Sequence, residues 1–337
     1  MKRKLEAKLC AAALCAAMTL PCLTGCGANQ ASASAGGEKQ VVIYSNADDE
    51  AITAMKNALD ENGYEGKYIF QGFGTSELGG KLLAEGTNLE ADLVTMSTFY
   101  LQSAQEQNQM FVPLTFDVNT LEEFPEYCAP ITSQEGAIIL NTELMEQEGL
   151  TAPTCLKDLA DPAYAGQIAV TDILSSSTAW LLIQALVDAY GEEGAAEVLG
   201  AIYENAGAHI ETSGSGPLKL CRAGEVAIGF GLRHQAVADK ADGLPIDYVD
   251  PEEGNFSLTE SVAVVNKGDN TSSLAMEMAE CIIENGRAQL QETYPNPLYE
   301  GETADAANQS AYPRTFAEPL TFELFEKHQQ LSESVKP

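Results

Sequence analysis

Five short segments rich in serine, threonine and glycine are the parts of this chain best suited to hold a ligand. They are Ser45-Asn46, Gly74-Thr75-Ser76, Thr95 with Ser97, Ser176-Ser177-Thr178 and Ser213-Gly214-Ser215. Hydroxyl and backbone N–H groups donate hydrogen bonds, and glycine lets an anion approach the backbone closely. Helix capping explains any one of these segments alone. Their repetition favours a cleft that binds an oxyanion.

Arg233 and His234 add two side chains that suit an anionic ligand. They follow a predicted strand that ends at Phe230, so we expect them to point into the same cleft. A guanidinium can hold a phosphonate or a carboxylate through two parallel hydrogen bonds. The alternatives are a surface arginine at a helix start, and a histidine that caps a helix or fills space.

The sequence carries few of the patterns on which enzymes depend. It has no Gly-x-Ser-x-Gly elbow, no His-Glu-x-x-His pair and no Gly-Lys-Ser/Thr phosphate loop, and its three histidines are far apart in sequence. We therefore predict a binding protein and not an enzyme, with no cofactor and no metal.

The elements that must position these loops alternate between short apolar strands and amphipathic helices. Strands are predicted at 41–44, 68–70, 92–96, 137–140, 168–170 and 226–228, and helices at 49–62, 76–84, 178–190, 192–203 and from about 217. This alternation is typical of an α/β fold with parallel sheets. Ligands of such sheets bind at the carboxyl ends of the strands, which is where the five polar segments lie.

The N-terminal residues indicate export. Four basic residues within the first eight positions precede an apolar stretch from Leu9 to about Leu20, which is too short for a permanent membrane span. The following Leu23-Thr24-Gly25-Cys26 resembles the bacterial lipobox, and the alternative is an ordinary signal peptide with an incidental cysteine. We predict a signal peptide at 1–25, a lipid on Cys26 and a flexible tether at 26–37, which would anchor the protein on the extracellular face of the cell membrane (or on the periplasmic side where an outer membrane is present).

Composition restricts the partners. The net charge is −32, and removal of residues 1–25 would take away four basic residues and one acidic residue, leaving −35. So acidic a chain does not suit nucleic acid, which requires basic patches. After Cys26, four cysteines remain at 128, 155, 221 and 281. Disulfides among them and free buried thiols both stay open.

Several stretches resemble the type II periplasmic binding proteins of the ferric iron, 2-aminoethylphosphonate, hexose-phosphate and thiamine uptake group. The similar stretches are 41–50, 73–96, 161–168, 213–229 and 243–265, and the resemblance extends over nearly all of 40–320. It implies two Rossmann-like α/β lobes joined by two crossing strands, with the ligand in the cleft between them. It also implies the solute-binding part of an ABC importer, with permease subunits as partners, and we expect a monomer.

Carried over to this chain, the resemblance places lobe 1 at 38–137 plus 262–337 and lobe 2 at 142–258. The crossing strands would lie near Ala137–Asn141 and Glu260–Val265. Ferric-binding members have two adjacent tyrosines where this chain has Leu232-Arg233-His234. Among the ligands of the group, the resemblance therefore favours a phosphonate or organophosphate, with 2-aminoethylphosphonate first.

Other ligands and functions remain open at this point. The acidic composition also suits a cation such as thiamine or a polyamine, whose aromatic contacts could come from Tyr44, Phe73, Phe99 and Tyr100 if these are not core residues. A ferric complex is a further alternative. A surface hydrolase or an adhesin is a third class, for which the sequence contains no specific pattern.

Overall fold

Strands and helices alternate along most of the chain, as the sequence predicts. A computed structural model describes residues 39–337, so the predicted signal peptide, the tether and the lipid site at Cys26 lie outside the described residues. The strands are β1 Val41–Ser45, β2 Tyr68–Gly72, β3 Leu93–Ser97, β4 Cys128–Asn141, β5 Ile168–Thr171, β6 Ile210–Glu211, β7 Ile228–Leu232, β8 Ile246–Val249, β9 Asn255–Val264 and β10 Pro313–Arg314. The helices are α1 Asp49–Leu59, α2 Thr75–Glu85, α3 Thr98–Asn108, α4 Thr142–Glu148, α5 Thr178–Ala206, α6 Gly216–Ala223, α7 Arg233–Ala241, α8 Ser273–Cys281, α9 Arg287–Thr293 and α10 Phe322–Val335.

The first half of the fold is built around β1, whose five residues are all buried. β1 pairs in parallel with β2 on one side and with β3 on the other. The predicted helix spacing is seen in α1, where Ala51, Met55 and Leu59 are buried one turn apart. Burial of side chains such as Met55 and Leu59 contributes about 1.5–3 kcal/mol each. The helix ends at Leu59, followed by one π-helical turn, which is earlier than the predicted end at 62.

Two long antiparallel strands join the two halves of the sheet. β4 pairs with β9 from Cys128 to Glu135, and then with β7 and β8 from Gly136 to Asn141. β9 in turn pairs with β3 from Glu260 onward. The order across the sheet is β2-β1-β3-β9-β4-β7-β5-β6. This arrangement, two α/β halves joined by two crossing strands, confirms the predicted fold class.

The crossing itself lies a few residues before the predicted positions on both strands. Residues 137–141 already pair only with β7 and β8, and residues 260–264 already pair with β3. The exchange of partners therefore occurs near Glu135 on β4. Local apolar patterning could not show this, because each strand continues unbroken through the change of neighbour. The residue bounds of the two lobes stay a prediction.

The second half is organised around α5 and β7. The two predicted helices at 178–190 and 192–203 form one element, α5, with a kink at Gly191, whose φ is +67°. Trp180 of this helix is fully buried, and its Nε1–H donates to Nδ1 of His328 at 2.7 Å. His328 belongs to α10, whose Phe325 also packs on Trp180 and on Phe99 of α3, so the C-terminal helix contacts elements of both halves.

The remaining cysteines are free thiols in the structure. Cys128, Cys221 and Cys281 are buried, and Cys155 is half-buried. Burial raises the pKa of both the Cys128 and the Cys221 thiols to about 12. Of the two alternatives left by the sequence, the structure therefore shows thiols. Among residues 39–337 no helix is long and apolar enough to cross a membrane.

Candidate ligand-binding cleft

A cleft of about 220 Å³ lies between loops from both halves of the sheet. It is lined by Asn46, Ala47, Asp48, Phe73, Gly74 and Thr75 from the first half, by Ser175 to Thr178, Thr212 to Ser215 and Leu232 from the second, and by Gln134 and Glu260 from the crossing strands. Four of the five polar segments of the sequence therefore contribute at least one residue to a single site. The volume lies below the range of about 300–1,000 Å³ of drug-sized pockets, so it suits a small solute.

Three helices begin at this cleft without a side-chain cap. The N-cap residues are Gly74 of α2, Ser177 of α5 and Ser215 of α6, and none of them caps its helix through a side-chain hydrogen bond. Capping therefore does not explain these serines, although it is the common role of serine at such positions. First-turn N–H groups of α2 and α6 remain available to a ligand, at the ends where the helix dipole favours negative charge. The first three N–H groups of α5 instead donate to Ser176 and Ser177 within the loop before the helix.

The hydroxyl groups within each serine loop of the second half lie close together. Oγ of Ser213 lies 3.1 Å from Oγ of Ser215, and Oγ of Ser176 lies 3.3 Å from Oγ1 of Thr178. Gly214 fits between the two loops because a Cβ at this position would lie only 2.2 Å from Oγ1 of Thr178. The two hydroxyl-bearing loops can come this close only because residue 214 has no side chain.

The opposite wall of the cleft carries carboxylates. Glu260 is 7% exposed, and its Oε1 accepts hydrogen bonds from Nδ2 of Asn46 at 3.0 Å and from Oγ of Ser97 at 3.4 Å. Burial, followed by the nearby charge of Asp48, raises the pKa of Glu260 to about 7. Burial also raises the pKa of Asp48, which accepts hydrogen bonds from the Ala51 N–H and from the Tyr294 hydroxyl.

Sequence reasoning did not single out Asp48 or Glu260 as ligand-binding residues. Asp48 comes three residues after β1, in the same loop as Asn46, so its position was a usable signal. Glu260 lies within a crossing strand whose following residues are buried and mostly apolar. A carboxylate at such a position is unusual because charged side chains are rarely buried without a partner.

Several predicted residues lie behind the cleft. Ser45 and Thr95 are fully buried, and their hydroxyls bond to each other at 2.7 Å beneath the lining. Ser97 reaches the site only through Glu260, and Ser76 lies in the first turn of α2, outside the lining. These residues support the lining loops, and Asn46, Gly74, Thr75, Ser176, Ser177, Thr178, Ser213, Gly214 and Ser215 line the cleft itself.

The structure places Arg233 away from the cleft, contrary to the expectation that it clamps an anion. Its guanidinium donates to the two carboxylate oxygens of Asp250 at 2.7 and 3.1 Å, and to the carbonyl oxygens of Ala307 and Gln309. Its side chain is 4% exposed. Because these protein acceptors occupy the guanidinium, the role of Arg233 is to join α7 to β8 and the C-terminal segment.

His234 is likewise buried outside the cleft lining. Its ring packs on Tyr294 with 4.9 Å between the ring centres, and its Nε2 has no hydrogen-bond partner among the described residues. Burial lowers the pKa of His234 to about 4, so the imidazole is neutral near pH 7. α7 starts at Arg233 immediately after β7, and neither side chain is part of the cleft lining.

Comparison with known proteins agrees with this arrangement of two α/β halves around a polar cleft. Residues 50–291 match the family model described as bacterial extracellular solute-binding protein. The chain belongs to this family. A protein of unknown function from Haemophilus influenzae is 26% identical over 251 residues, which is 71% of each chain.

Two solved structures illustrate the shared fold of this solute-binding protein. AfuA from Actinobacillus pleuropneumoniae, with fructose-6-phosphate bound, has a TM-score of 0.66 at 21% identity, over 89% of this chain and 97% of that one. A periplasmic thiamin-binding protein has a TM-score of 0.72 at 16% identity, over 90% and 98%. The predicted relation to the type II periplasmic binding proteins is therefore confirmed. The chain is the extracellular solute-binding component of an ABC transporter.

Gly214 offers a test of the cleft of this solute-binding protein. Gly214→Ala is expected to weaken ligand binding by about 10- to 100-fold, because the new methyl group would push the Ser176–Thr178 and Ser213–Ser215 loops apart. Isothermal titration calorimetry would measure this change. Gly80→Ala is the matched control, since a Cβ there meets no atom within 4 Å. Equal affinity in both variants would show that the contact between the two loops does not shape the ligand site.

Proposed function

We propose that this protein is a lipid-anchored receptor that delivers a small anionic ligand to the permease of its ABC importer. The proposed ligand is a phosphonate, with 2-aminoethylphosphonate first, or an organophosphate, bound in the 220 Å³ cleft. The observation that carries the proposal is the meeting of three uncapped helix N-termini with serine and threonine hydroxyls in one cleft.

The charge of the protein makes these local donors necessary. The net charge of −32 repels an anion at long range, and the cleft lining contains no lysine or arginine. Backbone N–H groups at helix N-termini bind phosphate and carboxylate groups in many proteins without a cationic side chain. The N-termini of α2 and α6 can supply such donors from both walls of the cleft, and the hydroxyl groups of Ser176 and Ser177 add to them.

The anchoring part of the proposal rests on the N-terminal sequence. Lipid on Cys26, after removal of residues 1–25, would hold the protein at the outer face of the membrane, and residues 26–37 would act as the tether. A tethered monomer of this kind can release its ligand to permease subunits in the same membrane. The sequence contains none of the catalytic motifs named above, so no motif suggests that the protein converts its bound ligand.

A cationic ligand is the second candidate, and the carboxylates of the cleft favour it. Asp48 and Glu260 both line the site, and no basic side chain in the lining offsets them. Of the four aromatic residues considered above, only Phe73 lines the cleft. Tyr44 packs on the Phe73 ring, and Phe99 and Tyr100 pack in the core. A ferric complex has less support, because no tyrosine or histidine lines the cleft.

A thermal-shift screen of residues 39–337 tests these alternatives, since this segment is one compact unit. The panel holds 2-aminoethylphosphonate, phosphate, hexose phosphates, ferric citrate, thiamine and spermidine. A true ligand at 100 times its Kd adds about 2.7 kcal/mol of stability. We expect stabilisation by phosphonates or phosphoesters. Stabilisation by thiamine or spermidine alone would replace the anion proposal with the cation-binding alternative.

A further inference from the structure

The acidic wall of the cleft has hydrogen-bond acceptors that no described residue uses. Both hydrogen bonds that Glu260 accepts end on Oε1, so its Oε2 has no protein donor although the side chain is more than nine-tenths buried and lines the cleft. Oδ1 of Asn46, which also lines the cleft, is buried and has no partner. A buried acceptor without a donor, such as Oδ1 of Asn46, is costly, and Oε2 of Glu260 leaves a second acceptor free in the same cleft. This combination indicates that a ligand supplies the missing donors.

The charge at this wall indicates what kind of donor is missing. Asp48 and Glu260 stand close enough for the charge of one to act on the other, and the cleft lining contains no lysine or arginine to offset them. A neutral donor would satisfy the lone pairs of the oxygen atoms but would leave the repulsion between the charges of Asp48 and Glu260 in place. A cationic N–H group satisfies both requirements, because it donates hydrogen bonds and reduces the repulsion.

The donor-rich loops and the acceptor-rich residues belong to different elements of the cleft. Ser177 and Ser215 precede α5 and α6 of the second half, whereas Asn46 and Asp48 follow β1 of the first half. Glu260 lies on β9 beside β3, on the same side as Asn46. A small ligand that spans the cleft therefore meets the serine hydroxyls on the second half and the carboxylates on the first half, where the N-terminus of α2 lies beside Asn46.

We propose that Glu260, Asn46 and Asp48 form a subsite for the ammonium group of the ligand, so that the receptor selects zwitterions over simple anions. This inference rests on the proposed function, because it assigns the second end of the same ligand. The class of ligand is an aminoalkyl phosphonate or aminoalkyl phosphate. Glu260 acts as the main specificity residue because it is the more deeply buried of the two carboxylates.

The test compares 2-aminoethylphosphonate with ethylphosphonate, which differs only in lacking the amine. Isothermal titration calorimetry on the unchanged protein is expected to show about 10- to 100-fold tighter binding of the amine-bearing ligand. Glu260→Gln should remove most of this preference by weakening 2-aminoethylphosphonate alone. Glu252→Gln is the matched control because it removes the same charge from an exposed position.

A second variant distinguishes the loss of the ammonium subsite from a folding defect of Glu260→Gln. Asp48→Asn keeps a side-chain oxygen to cap α1 and removes the charge, so it should reduce the preference for the amine by a smaller factor. A preference that is the same in Glu260→Gln as in the unchanged protein would overturn the ammonium subsite. Equal binding of both phosphonates would also overturn it, while leaving the proposed anion receptor intact.

The two proposals fail in different ways. One such outcome is that spermidine or thiamine binds whereas no phosphonate binds, and that Glu260→Gln weakens the binding of the cation. This outcome would refute the anion receptor and support the cation subsite. If none of these compounds binds, both proposals are refuted for these ligand classes.

Discussion

Replacing Arg233 with alanine is expected to lower the free energy of unfolding by about 3–5 kcal/mol and to leave ligand affinity within a few-fold of its original value. The side chain of Asp250 is 11% exposed and would lose both of its hydrogen bonds to the guanidinium. A buried charge left without its partner is strongly destabilising. The carbonyl oxygens of Ala307 and Gln309 would lose their donor as well.

Urea denaturation measures the loss of stability, and calorimetry below the unfolding transition measures affinity for the ligand found in the screen. Lys240→Ala is the control, because in its ion pair with Asp247 both side chains are exposed, at 52% and 38%. Removing that pair should cost about 1 kcal/mol or less. If the Arg233→Ala protein is fully stable but no longer binds any phosphonate, Arg233 contributes to ligand binding and its structural role is refuted.

Replacing Glu260 with glutamine is expected to stabilise the unliganded protein at pH 8 by roughly 3 kcal/mol more than it does at pH 4.5. Burial, followed by the charge of Asp48, raises the pKa of this carboxyl from its ordinary 4.5 to about 7. Between pH 4.5 and about pH 7, Glu260 holds a proton in the folded chain that it has already released in the unfolded chain. The stability of the protein with glutamate therefore falls as the pH rises through 7, and glutamine removes this loss.

Thermal and urea unfolding of both proteins from pH 4.5 to pH 8 would measure the difference. Burial also shifts the pKa values of other groups, raising those of Asp48 and Glu135 and lowering that of His234, so the quantity of interest is the difference between the two proteins at each pH. Glu252→Gln serves as control, and its exposed side chain should give a nearly constant difference. A constant difference for Glu260→Gln as well would mean that Glu260 is already charged at low pH in the folded protein.

These two predictions concern an arginine that the sequence suggested for the ligand site and a carboxylate that it did not. The polar loops were visible because each is a local pattern at the end of a strand. The carboxylate was not, because Glu260 and its partner Asn46 are 214 residues apart in the chain. A buried charge acquires its function from the groups placed around it by the fold.

The sequence by itself determined the elements and the loops of this protein. Strand β1, helix α1 and the Ser/Thr/Gly segments follow from apolar spacing and turn chemistry within a few residues, and such local preferences survive in the folded state. The resemblance to type II binding proteins then predicted how the two halves are joined. The family match and the solved structures confirm this fold.

Only the tertiary structure decided which side chains line the cleft. Arg233 pairs with Asp250, 17 residues away, and with carbonyl groups 74 and 76 residues away, and no local pattern specifies such partners. The fold likewise brings Asn46 and Asp48 after β1 beside Glu260 on β9 and opposite the serine loops of α5 and α6. The physical reason is that hydrogen bonds and ion pairs act over a few ångströms in space, whatever the separation of the residues along the chain.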